Sequence, residues 1–462
     1  MEAVLSFLGA VSGVVWGPIM LVCLIGTGIY LTFGLKCFTF RHIPTAFRML
    51  GTGYDSNAPK TGEISAFSAL MTAMAGTVGT GSIVGVATAL MAGGPGALFW
   101  MWCTALVGMA TKFSEIVLAM RYREVSPAGN VVGGAMYYIK NGLGPKWIWL
   151  GTAFAIFTGI ACFGTGNMVQ SNAISGALHQ SMGIPTWVTA LALFLIIGMV
   201  ILGGVKRIGY VAGRIVPTMV LVYIVSAIIV LAANYTLIIP TLKLVIDCAF
   251  NPTAATGGFA GAMVMMAIRF GMARGVFANE AGLGSAPIAH ATAMSSPIRQ
   301  GTIGMLEVFI TTFFICTMTG LTVLITGQWC APGAQGASLT AQAFETVMPG
   351  FGGYIVAISL TLFAFTTILA WCVYGERAWM YLVGDKAMKP FRIIYVLAVP
   401  IGALVQLDFV WLFSDVMNGL MALPNLVALV LLSPVVFKVA REGEKHQFWI
   451  PGTQIPDSSE DK

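Results

Sequence analysis

Eleven long apolar windows run through this chain, at about 12–33, 65–92, 95–119, 148–178, 184–204, 215–238, 258–290, 302–326, 353–375, 392–407 and 411–437. A membrane-crossing helix takes roughly 20 mostly apolar residues, whereas a barrel shows short alternating strands. The runs are continuous, so a barrel is excluded and an all-α, polytopic membrane protein is expected. Composition agrees: 9% of the 462 residues are charged, against roughly a quarter in soluble domains.

The connections test the count of windows. Lys and Arg concentrate in cytoplasmic connections, and twenty of the 24 lie in alternate connections and the C-terminal tail, Lys60 and Lys462 among them. The other connections hold Lys243 alone, and Lys112, Arg269 and Arg274 lie inside windows. This predicts an N-terminus outside, a C-terminus inside and a cytoplasmic tail, 438–462. The net charge of +6 therefore reads as topology rather than a nucleic-acid face, because the basic residues flank apolar runs and do not interleave with aromatics. Window 12–33 follows Glu2 with no Lys or Arg before it and is too long for a signal core, so it reads as a retained helix. Eight scattered cysteines without CxxC pairing imply neither a metal site nor a disulfide framework.

Two windows are abnormal. The second contains Ala75-Gly76-Thr77-Val78-Gly79-Thr80-Gly81-Ser82; the seventh contains Gly271-Met272-Ala273-Arg274-Gly275 and then Asn279 through Pro287. Glycine weakens a helix interior and proline removes a donor. Each stretch is therefore expected to unwind, which is tolerable at membrane depth only around a polar cavity. The two lie five windows apart. That predicts one transporter domain built from two five-helix repeats, about 65–238 and 258–437, inverted because five is odd, with window 12–33 outside them and a binding site at the midplane.

A break presents free N–H groups and a helix N-terminus to a carboxylate and free carbonyls to a cation, a pairing suited to a zwitterion plus sodium. The competing reading of Gly81 to Gly85 is a small-residue packing face. Thr366 and Thr367 offer hydroxyl oxygens to a hard cation, or back-bond to their own helix. Trp371, one turn on, walls a pocket or packs in the bundle. Gln170 both donates and accepts, toward a substrate or toward a neighbouring helix. Among intramembrane charges, Lys112 and Glu115 are spaced to pair or snorkel near the cytoplasmic end, while Arg274 and Glu280 flank the second break and suit a gate. His42, His179, His290 and His446 form no HExxH set, and GxxxxGK[ST] does not occur, so neither hydrolysis nor ATP-driven pumping is supported and no enzyme is expected.

The run Gly93-Gly94-Pro95-Gly96-Ala97-Leu98-Phe99-Trp100-Met101-Trp102 resembles the signature GGxGAxFWMW of the alanine or glycine:cation symporters, with Cys103 where an aliphatic residue is usual. These are sodium-coupled amino acid carriers of bacteria and archaea in the amino acid-polyamine-organocation superfamily. Gly79-Thr80-Gly81-Ser82-Ile83, Gly164 to Gln170 and Asn279 to Pro287 are similar to that family too. The resemblance implies a leucine-transporter-like fold of eleven helices, in a prokaryotic cytoplasmic membrane, importing glycine, L-alanine or D-alanine with sodium by alternating access and using no bound cofactor. It implies a sodium shell from the carbonyls of Ala75, Val78 and Phe363 and the hydroxyls of Thr366 and Thr367. The substrate carboxylate is then expected at the N–H groups of Gly79, Thr80, Gly81 and Ser82. Its ammonium is expected at the carbonyls of Arg274, Gly275, Val276 and Phe277, with Gln170 and Trp371 enclosing it. Ser82 stands where the family often has Asn, which leaves the preferred substrate open. The rival readings are proton coupling through Glu280, Glu307 or Asp415, and a channel or membrane-embedded receptor.

Overall fold

A computed structural model describes residues 2–52, 62–251, 260–330, 336–405 and 408–450. Lys60, Lys462, the start of the second repeat at 258–259 and tail residues 451–462 lie outside the described residues. Among the described residues, each of the eleven windows falls mainly on helix. Eight helices among the described residues are long and apolar enough to cross a membrane singly: Val4–Gly34, Gly96–Arg121, Pro145–Met182, Gly204–Ala233, Pro297–Ile325, Gly352–Val383, Asp385–Leu404 and Phe409–Leu431. These are the first, third, fourth, sixth, eighth, ninth, tenth and eleventh spans. The second span is a pair, Ala66–Thr77 and Gly81–Gly93, bent by 49° at its break. Thr186–Ile201 forms a shorter fifth span, and the seventh divides into Ala260–Asn279 and Ala286–His290.

The helix Tyr235–Phe250, beyond the sixth window, was not expected. Its buried Thr241, Val245 and Cys248 share one face, so it is a partly polar surface helix rather than an apolar run. The first span also starts earlier than its window, with Glu2–Val15 preceding Pro18–Gly34 and Gly17 at the joint.

The second span breaks where the sequence suggests. Ser65 caps its start, the side-chain oxygen accepting from the Ser68 amide at 3.1 Å. The helix ends at Thr77, and after Gly79 and Thr80 the chain resumes as a π-helical turn, Gly81–Gly85, before Val86–Gly93. Other π turns interrupt the fourth span at Gly164–Met168 and the eighth at Phe309–Cys316. Such widened turns are rare and gather at functional sites.

The seventh span breaks later than expected. Ala260–Asn279 is continuous helix, so Gly271 to Gly275 does not unwind and the carbonyls of Arg274, Gly275, Val276 and Phe277 lie inside it; that of Val276 accepts from the Glu280 amide at 2.8 Å. The glycines serve close packing instead. A Cβ on Gly271 would sit 2.4 Å from the Ala97 carbonyl oxygen, and one on Gly275 2.4 Å from Thr104 Oγ1, so only glycine lets this helix lie against the third span. The true break is 280–285, where Glu280, Gly282 and Gly284 have φ of +53°, +92° and +78°.

Backbone donors freed by that break are satisfied by the third span. Glu115 Oε1 accepts from the Gly282 and Gly284 amides at 3.0 and 3.1 Å, and the Asn425 amide donates to the Gly282 carbonyl at 2.9 Å. The expected Lys112–Glu115 pair does not form. Lys112 is fully buried and pairs with Glu307 at 3.2 Å, and His290 lies 3.4 Å from the other Glu307 oxygen. Three packed helices supply better partners than one helix turn does.

At the end of the bundle that carries most of the cationic connections, the two broken spans are joined. Ile64–Ser65 pairs in parallel with Ala293–Met294. The Glu63 amide donates to the Thr292 carbonyl at 2.8 Å, and Arg377 of the ninth span reaches Glu63 at 2.6 Å.

Candidate functional site

The two breaks face each other across a narrow cavity lined by Gly76, Thr77, Gly79, Thr80, Gly81, Thr165, Gln170, Phe277, Glu280, Leu283, Thr367, Trp371 and Asn418. The second span supplies small residues there, the fourth Thr165 and Gln170, the ninth Thr367 and Trp371, and the eleventh Asn418. Gly79 is required by proximity: a Cβ on it would lie 2.4 Å from Thr367 Oγ1. Gly166 plays the same part for Trp371, whose Cβ would be 2.3 Å from a Cβ there.

Beside the cavity, Thr367 donates to the Ala75 carbonyl at 2.9 Å and lies 2.9 Å from the Phe363 carbonyl. Three of the five atoms expected to bind sodium therefore converge between the second and ninth spans. Val78 closes the first half of the second span with non-helical ψ of 74°, beside this cluster in sequence. Thr366 bonds back to Phe363 at 3.0 Å and faces the Met219 sulfur at 3.6 Å, so its hydroxyl is turned to the sixth span.

Of the residues expected around the amino acid, Gly79, Thr80, Gly81, Gln170, Phe277 and Trp371 line the cavity; Ser82, Arg274, Gly275 and Val276 do not. Ser82 is fully buried behind it, its carbonyl accepting from Thr319 at 2.9 Å. Arg274 does not clamp Glu280. It points to Asp415 at 3.8 Å in a second cavity, and Phe277 lines both spaces.

Gln170 donates to Thr80 Oγ1 at 3.2 Å and to the Thr165 carbonyl at 3.0 Å. Trp371 donates its indole N–H to Glu280 at 3.0 Å. Asn418, which the sequence reading missed, donates to Thr165 Oγ1 at 3.0 Å. An amide inside an apolar span is the signal that would have found it. Glu280 belongs to the cavity wall, a place the expectation of a gate did not give it.

The model of the sodium:alanine symporter family matches residues 1–448. The sodium/alanine symporter AgcS of Methanococcus maripaludis is 46% identical over 437 residues, 93% of this chain and 95% of that protein. An uncharacterised transporter of Haemophilus influenzae is also 46% identical, over 440 residues and 95% of each chain. Among solved structures, MhsT in complex with L-phenylalanine superposes with a TM-score of 0.56 over 83% of this chain and 99% of that one, at 15% identity, which establishes a leucine-transporter-like fold. The match along almost the whole length places this chain in the sodium:alanine symporter family.

Proposed function

We propose that the chain is a sodium-coupled symporter importing small neutral amino acids, glycine and L-alanine foremost and D-alanine as a third candidate. The observation that carries this reading is the convergence of Ala75 O, Phe363 O and Thr367 Oγ1 between a broken span and an intact one, beside a narrow cavity walled by Trp371 and Phe277. A hard cation favours such uncharged oxygens. The relative named for sodium and alanine covers the same residues, which supports both ligands.

Sodium is held by the carbonyls of Ala75, Val78 and Phe363 and the Thr367 hydroxyl, with Thr366 contributing once it turns from Met219. The substrate carboxylate lies against Gly79, Thr80 and Gly81, and Gln170 and Trp371 enclose the molecule. Sodium bridges the second and ninth spans, and the ion gradient is coupled to amino acid movement through that bridge. The chain sits in a prokaryotic cytoplasmic membrane with its N-terminus outside and C-terminus inside, as the cationic connections indicate. Its repeats span about 65–238 and 258–437.

Uptake of radiolabelled glycine, L-alanine and D-alanine into proteoliposomes tests this. Saturable uptake that collapses without a sodium gradient is expected. Sodium-independent uptake driven by a pH gradient supports proton coupling instead, and linear, non-saturating flux supports a pore.

A further inference from the structure

Glu280 follows the last residue of helix Ala260–Asn279 and holds φ at +53°. A non-glycine residue adopts that left-handed conformation at a cost, and such positions cluster at functional sites. The residue is 3% exposed and its side chain faces the cavity wall. One carboxylate oxygen accepts from the Trp371 indole at 3.0 Å and the other from the Ser285 hydroxyl at 2.6 Å. Both donors are neutral. The cations nearest in the bundle are directed elsewhere, Lys112 to Glu307 and Arg274 toward Asp415. Among the described residues Glu280 has no ion pair.

A carboxylate buried without a cation is unfavourable unless something positive joins it. Each of its oxygens accepts two hydrogen bonds, so capacity remains on both. Two more acceptors line the same cavity: Gln170 Oε1 and Asn418 Oδ1 are buried with no partner, while their amide nitrogens are committed to Thr80 and Thr165. The carbonyls of Arg274, Gly275 and Val276, where an ammonium was expected, lie inside helix Ala260–Asn279, and those three residues do not line the cavity; of that stretch Phe277 alone does.

We infer that Glu280, with the amide oxygens of Gln170 and Asn418, receives the ammonium group of the substrate. Three acceptors match the three donors of a primary ammonium, and one of them supplies the compensating charge. The carboxylate end then lies toward Gly79 to Gly81, so the zwitterion is held with its charges on opposite walls. This inference rests on the symport reading above and gives Glu280 a specificity role within it: a molecule with the same carboxylate but a hydroxyl in place of the amine leaves the acid uncompensated and is rejected.

Equilibrium binding of radiolabelled L-alanine to the purified full chain, at saturating sodium and with L-lactate as competitor, tests the assignment. Glu280→Gln is expected to weaken alanine binding roughly 30-fold, to leave lactate competition unchanged or stronger, and to keep the half-saturating sodium concentration. Glu280→Asp retains part of the alanine-over-lactate preference. Asn418→Ala, which removes one neutral acceptor, is expected to weaken alanine about fivefold and lactate hardly at all, and it carries the test if E280Q does not fold. Unchanged alanine affinity in E280Q overturns the assignment, as do equal losses for alanine and lactate in either variant. A shifted sodium requirement with the alanine-to-lactate ratio preserved also overturns it and places sodium at Glu280. Wild-type protein that binds neither L-alanine nor radiolabelled glycine or D-alanine in sodium overturns the symport reading itself, whereas wild-type binding with intact discrimination in E280Q overturns the Glu280 assignment alone.

Discussion

The Thr367 hydroxyl lies 2.9 Å from both the Ala75 carbonyl of the second span and the Phe363 carbonyl of its own helix. One hydroxyl proton serves one carbonyl at a time, and Thr366 also donates to the Phe363 carbonyl at 3.0 Å, so the Ala75 carbonyl is left open to a cation whenever the Thr367 proton points into its own helix. Replacing Thr367 by Ala removes an oxygen from that cluster without adding bulk. The sodium concentration for half-maximal uptake is expected to rise about tenfold, equivalent to about 1.4 kcal/mol, and Ser is expected to restore most of it. Sodium activation curves of alanine uptake read the effect; identical curves for T367A and wild type would remove this hydroxyl from the ion site.

Gly271→Ala separates a packing glycine from a hinge glycine. In a helix interior without neighbours, alanine is favoured by about 1 kcal/mol. Here the added Cβ meets the Ala97 carbonyl at 2.4 Å, and backbone cannot step aside as a side chain does. A loss of about 1–3 kcal/mol is expected, visible as a lower midpoint of thermal unfolding in detergent. A raised midpoint would mean that the third span does not press here.

Glu115→Ala strips the acceptor from the Gly282 and Gly284 amides and from the Asn425 side chain. Each buried donor left without a partner costs about 1–3 kcal/mol. Lower thermal stability and faster amide exchange confined to 280–285 are expected, with Glu115→Gln intermediate. Exchange unaltered at Gly282 and Gly284 would show that another group satisfies them.

Glu345 ends the helix Ala337–Glu345, outside the spans, and its carboxylate accepts from the amides of Gly350 and Gly353. Those amides hold its pKa below the usual carboxylate value. The folded-state value being depressed, the stabilisation is present above the unfolded-state pKa and fades as pH falls through the lower, folded one. Amide exchange at Gly350 and Gly353 is therefore expected to stay slow through the ordinary carboxylate range and to quicken only below it. In E345Q that pH dependence disappears; if it persists, another group controls the turn.

Apolar window length was enough to find the long spanning helices, because a membrane-crossing helix announces itself by composition, but not the helix Tyr235–Phe250. The break at Gly79 was legible too, since glycines and hydroxyls there are too dense for packing alone. The seventh span misled because glycine has two uses that look alike in sequence. At 271 and 275 it admits a neighbouring helix, and only at 282 and 284 does it permit positive φ. Partners distant in sequence were beyond reach: nothing near Lys112 indicates Glu307, and nothing near Glu115 indicates the amides 167 and 169 residues away.

The short parallel pairing of Ile64–Ser65 with Ala293–Met294 has a consequence for how this molecule is regulated by mutation. Its bonds run between peptide groups, which nearly every residue type offers equally, so ordinary replacements leave it intact, and those at Glu63 or Arg377 remove the ion pair beside it. Proline at these positions is the exception, because it withholds the N–H. Separating the two segments therefore means breaking main-chain hydrogen bonds, whose strength is set by peptide geometry and stays the same while the surrounding side chains diverge.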